Sequence, residues 1–66
     1  MDSKKIGMRL KELRGKKTLA TVAEDLGVTS MAISLWERGE RIPNDEMKVR
    51  IAQYYGRSVA FIFFRD

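Results

Sequence analysis

The sequence contains neither cysteine nor histidine. Without cysteine there is no disulfide framework and no thiolate chemistry. With histidine absent too, the usual zinc sites and the commonest general acid–base side chain are gone. No glycine-rich phosphate loop and no nucleophile elbow is present. Proline occurs once, as Pro43, and long apolar runs do not occur at all. The longest run, Val59-Ala60-Phe61-Ile62-Phe63-Phe64, falls far below the roughly 20 residues of a membrane-spanning helix. The chain starts with polar residues, Asp2 and Ser3 after Met1, rather than an apolar signal segment. The expectation is a soluble cytoplasmic protein with no metal, no cofactor, no membrane association and no evident small-molecule ligand.

What is there fits one small folded domain. The 66 residues are 44% hydrophobic, above the range of disordered chains. A chain this short buries only about 60% of the surface that its unfolded form exposes, so a partner subunit would add useful burial. Thirteen Lys and Arg against nine Asp and Glu give a net charge of +4. That surplus suits a polyanionic partner without requiring one.

Glycines at 15, 27, 39 and 56 punctuate segments of helical periodicity. Ser3 is placed to cap a first helix over Lys4–Arg14, where Ile6, Leu10 and Leu13 share one face. Thr18 caps a second helix, Leu19–Leu26, which buries Val22, Ala23 and Leu26 and stops at Gly27. Thr29 caps a third, about Ser30–Arg38, with Val28 and Ile33 inward and Trp36 partly so. Only Gly27, Val28 and Thr29 separate the second and third helices. So short a connection holds them at a steep angle, a helix-turn-helix arrangement. After the loop Glu40–Pro43, Asn44 caps a fourth helix, Asp45–Tyr55, with Met47, Ile51, Ala52 and Tyr55 inward. Ser58 is placed to cap a short fifth helix to about Phe63. A strand over Val59–Phe64 is the alternative, because β-branched and aromatic residues crowd there. The fold class is therefore all-α, a compact bundle of five short helices.

The stretch Val22 to Gly39 combines Ala23, the turn Gly27 and Val28, the Ile33-Ser34 pair and the ending Trp36-Glu37-Arg38-Gly39. Arg41-Ile42-Pro43, Ile51-Ala52 and Gly56-Arg57-Ser58-Val59 follow. In this combination the chain resembles the phage Cro/C1 repressor family of helix-turn-helix proteins, over nearly its whole length. The resemblance implies a lambda-repressor-like DNA-binding domain over residues 1–66, with its motif at about 18–39. It also implies double-stranded DNA as partner.

The third helix is then the one to enter the major groove, N-terminal end first. Its outward residues are Ser30, Met31, Ser34 and Leu35, and Ser30, Met31 and Leu35 match the family's base-reading positions. None is Gln, Asn or Arg, so the bidentate readers of adenine and guanine are missing. Met31 and Leu35 can touch thymine methyls, while Ser30 and Ser34 can make single hydrogen bonds. The alternative role for Met31 and Leu35 is packing. Phosphate contacts are assigned to Lys17, Thr18, Thr29, Arg38 and Arg41. Arg41 matches a backbone-gripping position of the family, and for any one of these cations the alternative is a solvated charge. Leu19 departs from the Gln usual at the start of the second helix. Arg14 and Glu37 match a structural ion pair of the family.

One such domain reads half of an operator, so a homodimer is expected, with Tyr54, Phe61 and Phe64 as candidate interface residues. The alternative is that these aromatics cap the monomer core. The leading function is a phage- or plasmid-type transcriptional repressor, nucleoid-associated when bound. A second reading keeps the fold but makes it a protein-interaction module, an antitoxin or antirepressor. An enzyme is remote, since no convergent polar site accompanies the missing histidine and cysteine.

Overall fold

A computed structural model describes residues 2–65. Five helices follow one another: α1 Ser3–Arg14, α2 Leu19–Leu26, α3 Ser30–Glu37, α4 Asp45–Tyr55 and α5 Val59–Phe63. Among the described residues there is no strand. The aromatic segment over Val59–Phe63 is helical, capped by Ser58, whose hydroxyl accepts from the Phe61 N–H at 3.0 Å. Thr18, Thr29 and Asn44 cap their helices in the same way, each accepting from the N–H three residues on.

The first helix differs from expectation at its start. Ser3 already lies inside α1, and Asp2 is the cap. Its carboxylate accepts from the N–H groups of both Lys4 and Lys5. The two backbone bonds, helped by the Lys5 charge, hold the Asp2 carboxyl below its ordinary value. A carboxylate near the positive end of a helix is the stronger cap. The third helix stops one residue early, at Glu37, with Arg38 as its C-cap.

Val22, Leu26, Ile33, Ile51, Ile62 and Phe63 form the centre of the core, each at most 4% exposed. Trp36 is buried as well, more completely than its sequence position implied. Ile62 and Phe63 turn inward and Phe64 is left outside. Lys48 is buried too, its ammonium 3.4 Å from Asp45 and over the Phe63 and Phe64 rings. Its methylene stem covers apolar surface while the cation faces two aromatic rings.

Two glycines set the arrangement. Gly27 takes φ 71°, and its N–H and that of Val28 close the end of α2 onto Glu24 and Ala23. That left-handed residue makes the three-residue turn possible. Gly7 lies in the middle of α1, where α3 crosses. A Cβ there would stand 2.3 Å from the Glu37 carbonyl oxygen, so hydrogen is the largest group that fits.

Candidate nucleic-acid interface

The third helix is anchored at its C-terminal end. Arg14, from the end of α1, meets Glu37 with two bonds, Nε to Oε2 at 2.7 Å and Nη2 to Oε1 at 2.9 Å. The pair is mostly buried, and the remaining guanidinium arm donates to the Lys17 carbonyl at 2.7 Å. The Glu37 hydrogen bond and charge outweigh desolvation and push the Arg14 pKa up. One side chain thus ties the end of α1, the α1–α2 turn and the end of α3 together. The loop beyond α3 is held by the Leu35 carbonyl, which accepts from the Glu40 and Arg41 N–H groups.

At the N-terminal end of α3 the outward side chains are unengaged by contrast, while Val28 and Ala32 pack against the core. Ser30 is exposed, Met31 is 62% exposed, and Ser34 and Leu35 are half-buried. Ser30, Met31, Ser34 and Leu35 therefore lie on a helix whose inner face is Ile33 and Trp36. Thr18 and Thr29 are exposed caps whose hydroxyls engage only the third residue of their helices. The backbone N–H groups of Leu19 and Ala20, and of Ser30 and Met31, have no acceptor within their helices. Two helix N-termini, each with free N–H groups beside an exposed threonine, form a geometry that favours phosphate oxygens.

The candidate phosphate-binding cations are all exposed but are not alike. Arg41 makes no side-chain hydrogen bond or ion pair to another described residue. Arg38 lies 3.3 Å from Glu40 and also reaches the Ser34 carbonyl. Such an exposed pair is worth at most about 1 kcal/mol, so it can open for a phosphate. Lys17 donates to the Tyr54 hydroxyl at 3.0 Å, which in turn donates to Asp25 at 2.5 Å. The Tyr54 contact and the Asp25 charge push the Lys17 pKa up. Leu19, where the resembled family has Gln, packs partly buried against the core.

Tyr54, Phe61 and Phe64 are tied to three different neighbours. Tyr54 is held by Lys17 and Asp25 and stacks edge-on against Tyr55 at 5.0 Å. Phe61 is half-buried, with the Arg57 and Arg65 guanidinia 5.3 and 4.1 Å from its ring centre. Phe64 is 59% exposed and meets the Lys48 ammonium at 5.4 Å.

Three supporting residues carried no signal along the chain. Arg9 donates to the carbonyls of Ile62 and Arg65 and so ties the end of α5 to α1. Arg50 donates to the Leu26 carbonyl at 2.8 Å and finishes the end of α2 beside the turn. Gly7 admits α3 against α1. Their partners lie 24 to 56 residues away, or on another helix altogether, so no local spacing reveals them.

No group of His, Cys, Asp or Glu among the described residues has the arrangement of a metal site. No described helix is long and apolar enough to cross a membrane. Comparison with family models matches residues 10–62 to the helix-turn-helix family. No curated protein and no solved structure matches the chain.

Proposed function

The chain belongs to the Cro/C1-type helix-turn-helix family of DNA-binding regulators, and on that premise we propose that it is a transcriptional repressor acting as a homodimer on a pseudopalindromic operator. The observation that carries the reading is the asymmetry of α3. Its C-terminal end is bound to α1 through Arg14 and Gly7, while Ser30 and Met31 project with free backbone N–H groups. A rigid helix offered by its N-terminal end suits the major groove.

In this mechanism α3 enters the groove with Ser30, Met31, Ser34 and Leu35 toward the base edges. Met31 reads a thymine methyl by apolar contact. The serine hydroxyls donate or accept single bonds, which discriminate weakly. Thr18 and Thr29, with the N–H groups behind them, hold phosphates on either side, and Arg41, Arg38 and Lys17 add charge. Affinity comes mainly from these contacts and specificity partly from spacing, because two copies place their reading helices about 34 Å apart, one turn of B-DNA. Phe64 is the most exposed of the candidate interface aromatics and is assigned to the seam between copies. The DNA-binding domain spans residues 1–66 and acts in the cytoplasm of a bacterial cell at the nucleoid.

The second reading, a protein-interaction module of the antitoxin or antirepressor kind, is favoured by the outward face of α3, which has no Gln, Asn or Arg. Selection of bound duplexes from a random DNA pool, followed by fluorescence anisotropy at one fixed salt concentration, separates the two. The repressor reading expects enrichment of two symmetric half-sites. Equal affinity for selected and random duplexes overturns it.

A further inference from the structure

Away from α3, a groove of about 250 Å³ lies between α1 and α5. It is lined by Arg9, Glu12, Leu13, Arg57, Phe61 and Arg65. Three guanidinia against one carboxylate give it a surplus of positive charge. Glu12 forms no ion pair with any of the three. Arg57 and Arg65 make no side-chain hydrogen bond or ion pair to another described residue, and both lie against the Phe61 ring. Arg9 is different: its bonds to the Ile62 and Arg65 carbonyls fix α5 against α1 and so fix the walls. Leu13 and Phe61, partly buried against the core, give the groove an apolar floor.

We propose that this groove binds an acidic peptide segment of a partner protein. Arg57 and Arg65 take an Asp or Glu carboxylate of the partner, and a neighbouring apolar side chain lies on Leu13 and Phe61. The planar guanidinium fork matches a carboxylate with two parallel bonds. Its stacking on Phe61 keeps it in place and leaves its N–H edge free. DNA fits less well. The groove takes no residue from α2, α3 or the turn between them, and its apolar floor has nothing to offer a phosphodiester, whereas it suits the apolar neighbour of a peptide carboxylate. A partner seated here covers none of the residues assigned to DNA. It supplies the regulator with a protein input at a face separate from α3.

The test is amide-resonance mapping on the full chain. The probes are two hexapeptide pools, one alternating Asp or Glu with Leu or Phe, the other with the acids replaced by Asn and Gln. The acidic pool is expected to shift α1 and α5 resonances while the amide pool does not. The double variant Arg57→Glu/Arg65→Glu is expected to weaken that binding by about tenfold or more, one bidentate charge-assisted contact being worth at least that, while a DNA duplex still shifts the α2 and α3 resonances. Should the double variant disturb the fold, Arg57→Gln alone removes one exposed charge and is expected to weaken binding in the same direction. Equal shifts from both pools, or none from either, overturn the proposal. So does a short DNA duplex that moves the α1 and α5 resonances in place of the acidic pool. A change in sedimentation mass for Arg57→Glu with no peptide response would assign the groove to a second copy instead.

Discussion

Alanine at Gly7 tests how the reading helix is seated. Helix propensity alone favours the change by about 1 kcal/mol, since glycine in a helix interior is the poorer residue. The structure reverses the sign. The new Cβ would lie 2.3 Å from the Glu37 carbonyl oxygen and 2.8 Å from both the Glu37 carbonyl carbon and the Trp36 carbonyl oxygen. Ordinary contact begins at 3.4 Å, so α1 and α3 must part by about 1 Å. The obstacle is main chain, which cannot swing aside as a side chain would. Overpacking costs about 1–3 kcal/mol, and an unyielding neighbour places this case at the upper end. After the propensity gain, the net loss is about 2 kcal/mol. For a domain of this size that lowers Tm by about 8–16 °C, read by far-UV circular dichroism. DNA affinity at a temperature where the variant is still folded should fall as well, because the displaced end of α3 carries Trp36 and Glu37. A Gly7→Ala protein that melts at or above the wild-type temperature would refute the reasoning.

Arg41→Ala should weaken binding to every duplex alike and flatten the salt dependence, with log K changing by about 0.9 less per log salt; loss confined to one operator base would contradict a phosphate role. Met31→Ala should cost about 1 kcal/mol at a T·A pair and little elsewhere, measured by anisotropy against single-base operator variants. For the dimer, Phe64→Asp should lower the sedimentation mass at micromolar concentration. Unchanged monomeric profiles for both proteins would remove Phe64 from the interface. Tyr55 carries a pH prediction. Burial, with the Glu37 charge, pushes its hydroxyl from 10.0 up to about 12. A folded pKa above the unfolded one means that its stabilisation is whole below about pH 10 and is lost as the pH rises toward 12. Urea midpoints across that window should therefore fall less steeply for Tyr55→Phe than for wild type, and parallel curves would exclude the effect.

Much of the fold could be read along the chain because its devices are local. A threonine, asparagine or serine three residues before an amide, and a glycine after the last apolar position, set the bounds of α2 and α4 and the start of α5. Local reasoning slipped where two neighbours could do one job, as at Asp2 and Ser3, where the carboxylate won. The ambiguity over Val59–Phe64 was of another kind, since aromatic and β-branched residues suit a strand until Ile62 and Phe63 find a core to enter. The candidate reading residues followed from a contiguous motif. The Arg14–Glu37 pair that pins α3 came with the same resemblance, but the supports at Gly7, Arg9 and Arg50 did not, because they act on residues far along the chain. Nor did the competition for Lys17, which depends on Tyr54 and Asp25 arriving from α4 and α2. The same limit hid the groove between α1 and α5, whose walls come from opposite ends of the sequence.

The anchoring of α3 at one end has a consequence for how such a protein can change. The clamp formed by Arg14, Glu37 and Gly7 holds one end of the helix, Ile33 and the turn from α2 hold its inner face, and the outward side chains at its N-terminal tip carry almost no load. Ser30 and Met31 stand at the tip, exposed and outside the core. Substitutions there alter what the surface presents while leaving the melting temperature nearly where it was, since exposed positions away from caps and packing shift stability by only about ±0.5 kcal/mol. Under the proposed function, DNA preference can therefore drift, or be engineered, on a frame that does not have to be stabilised again at each step.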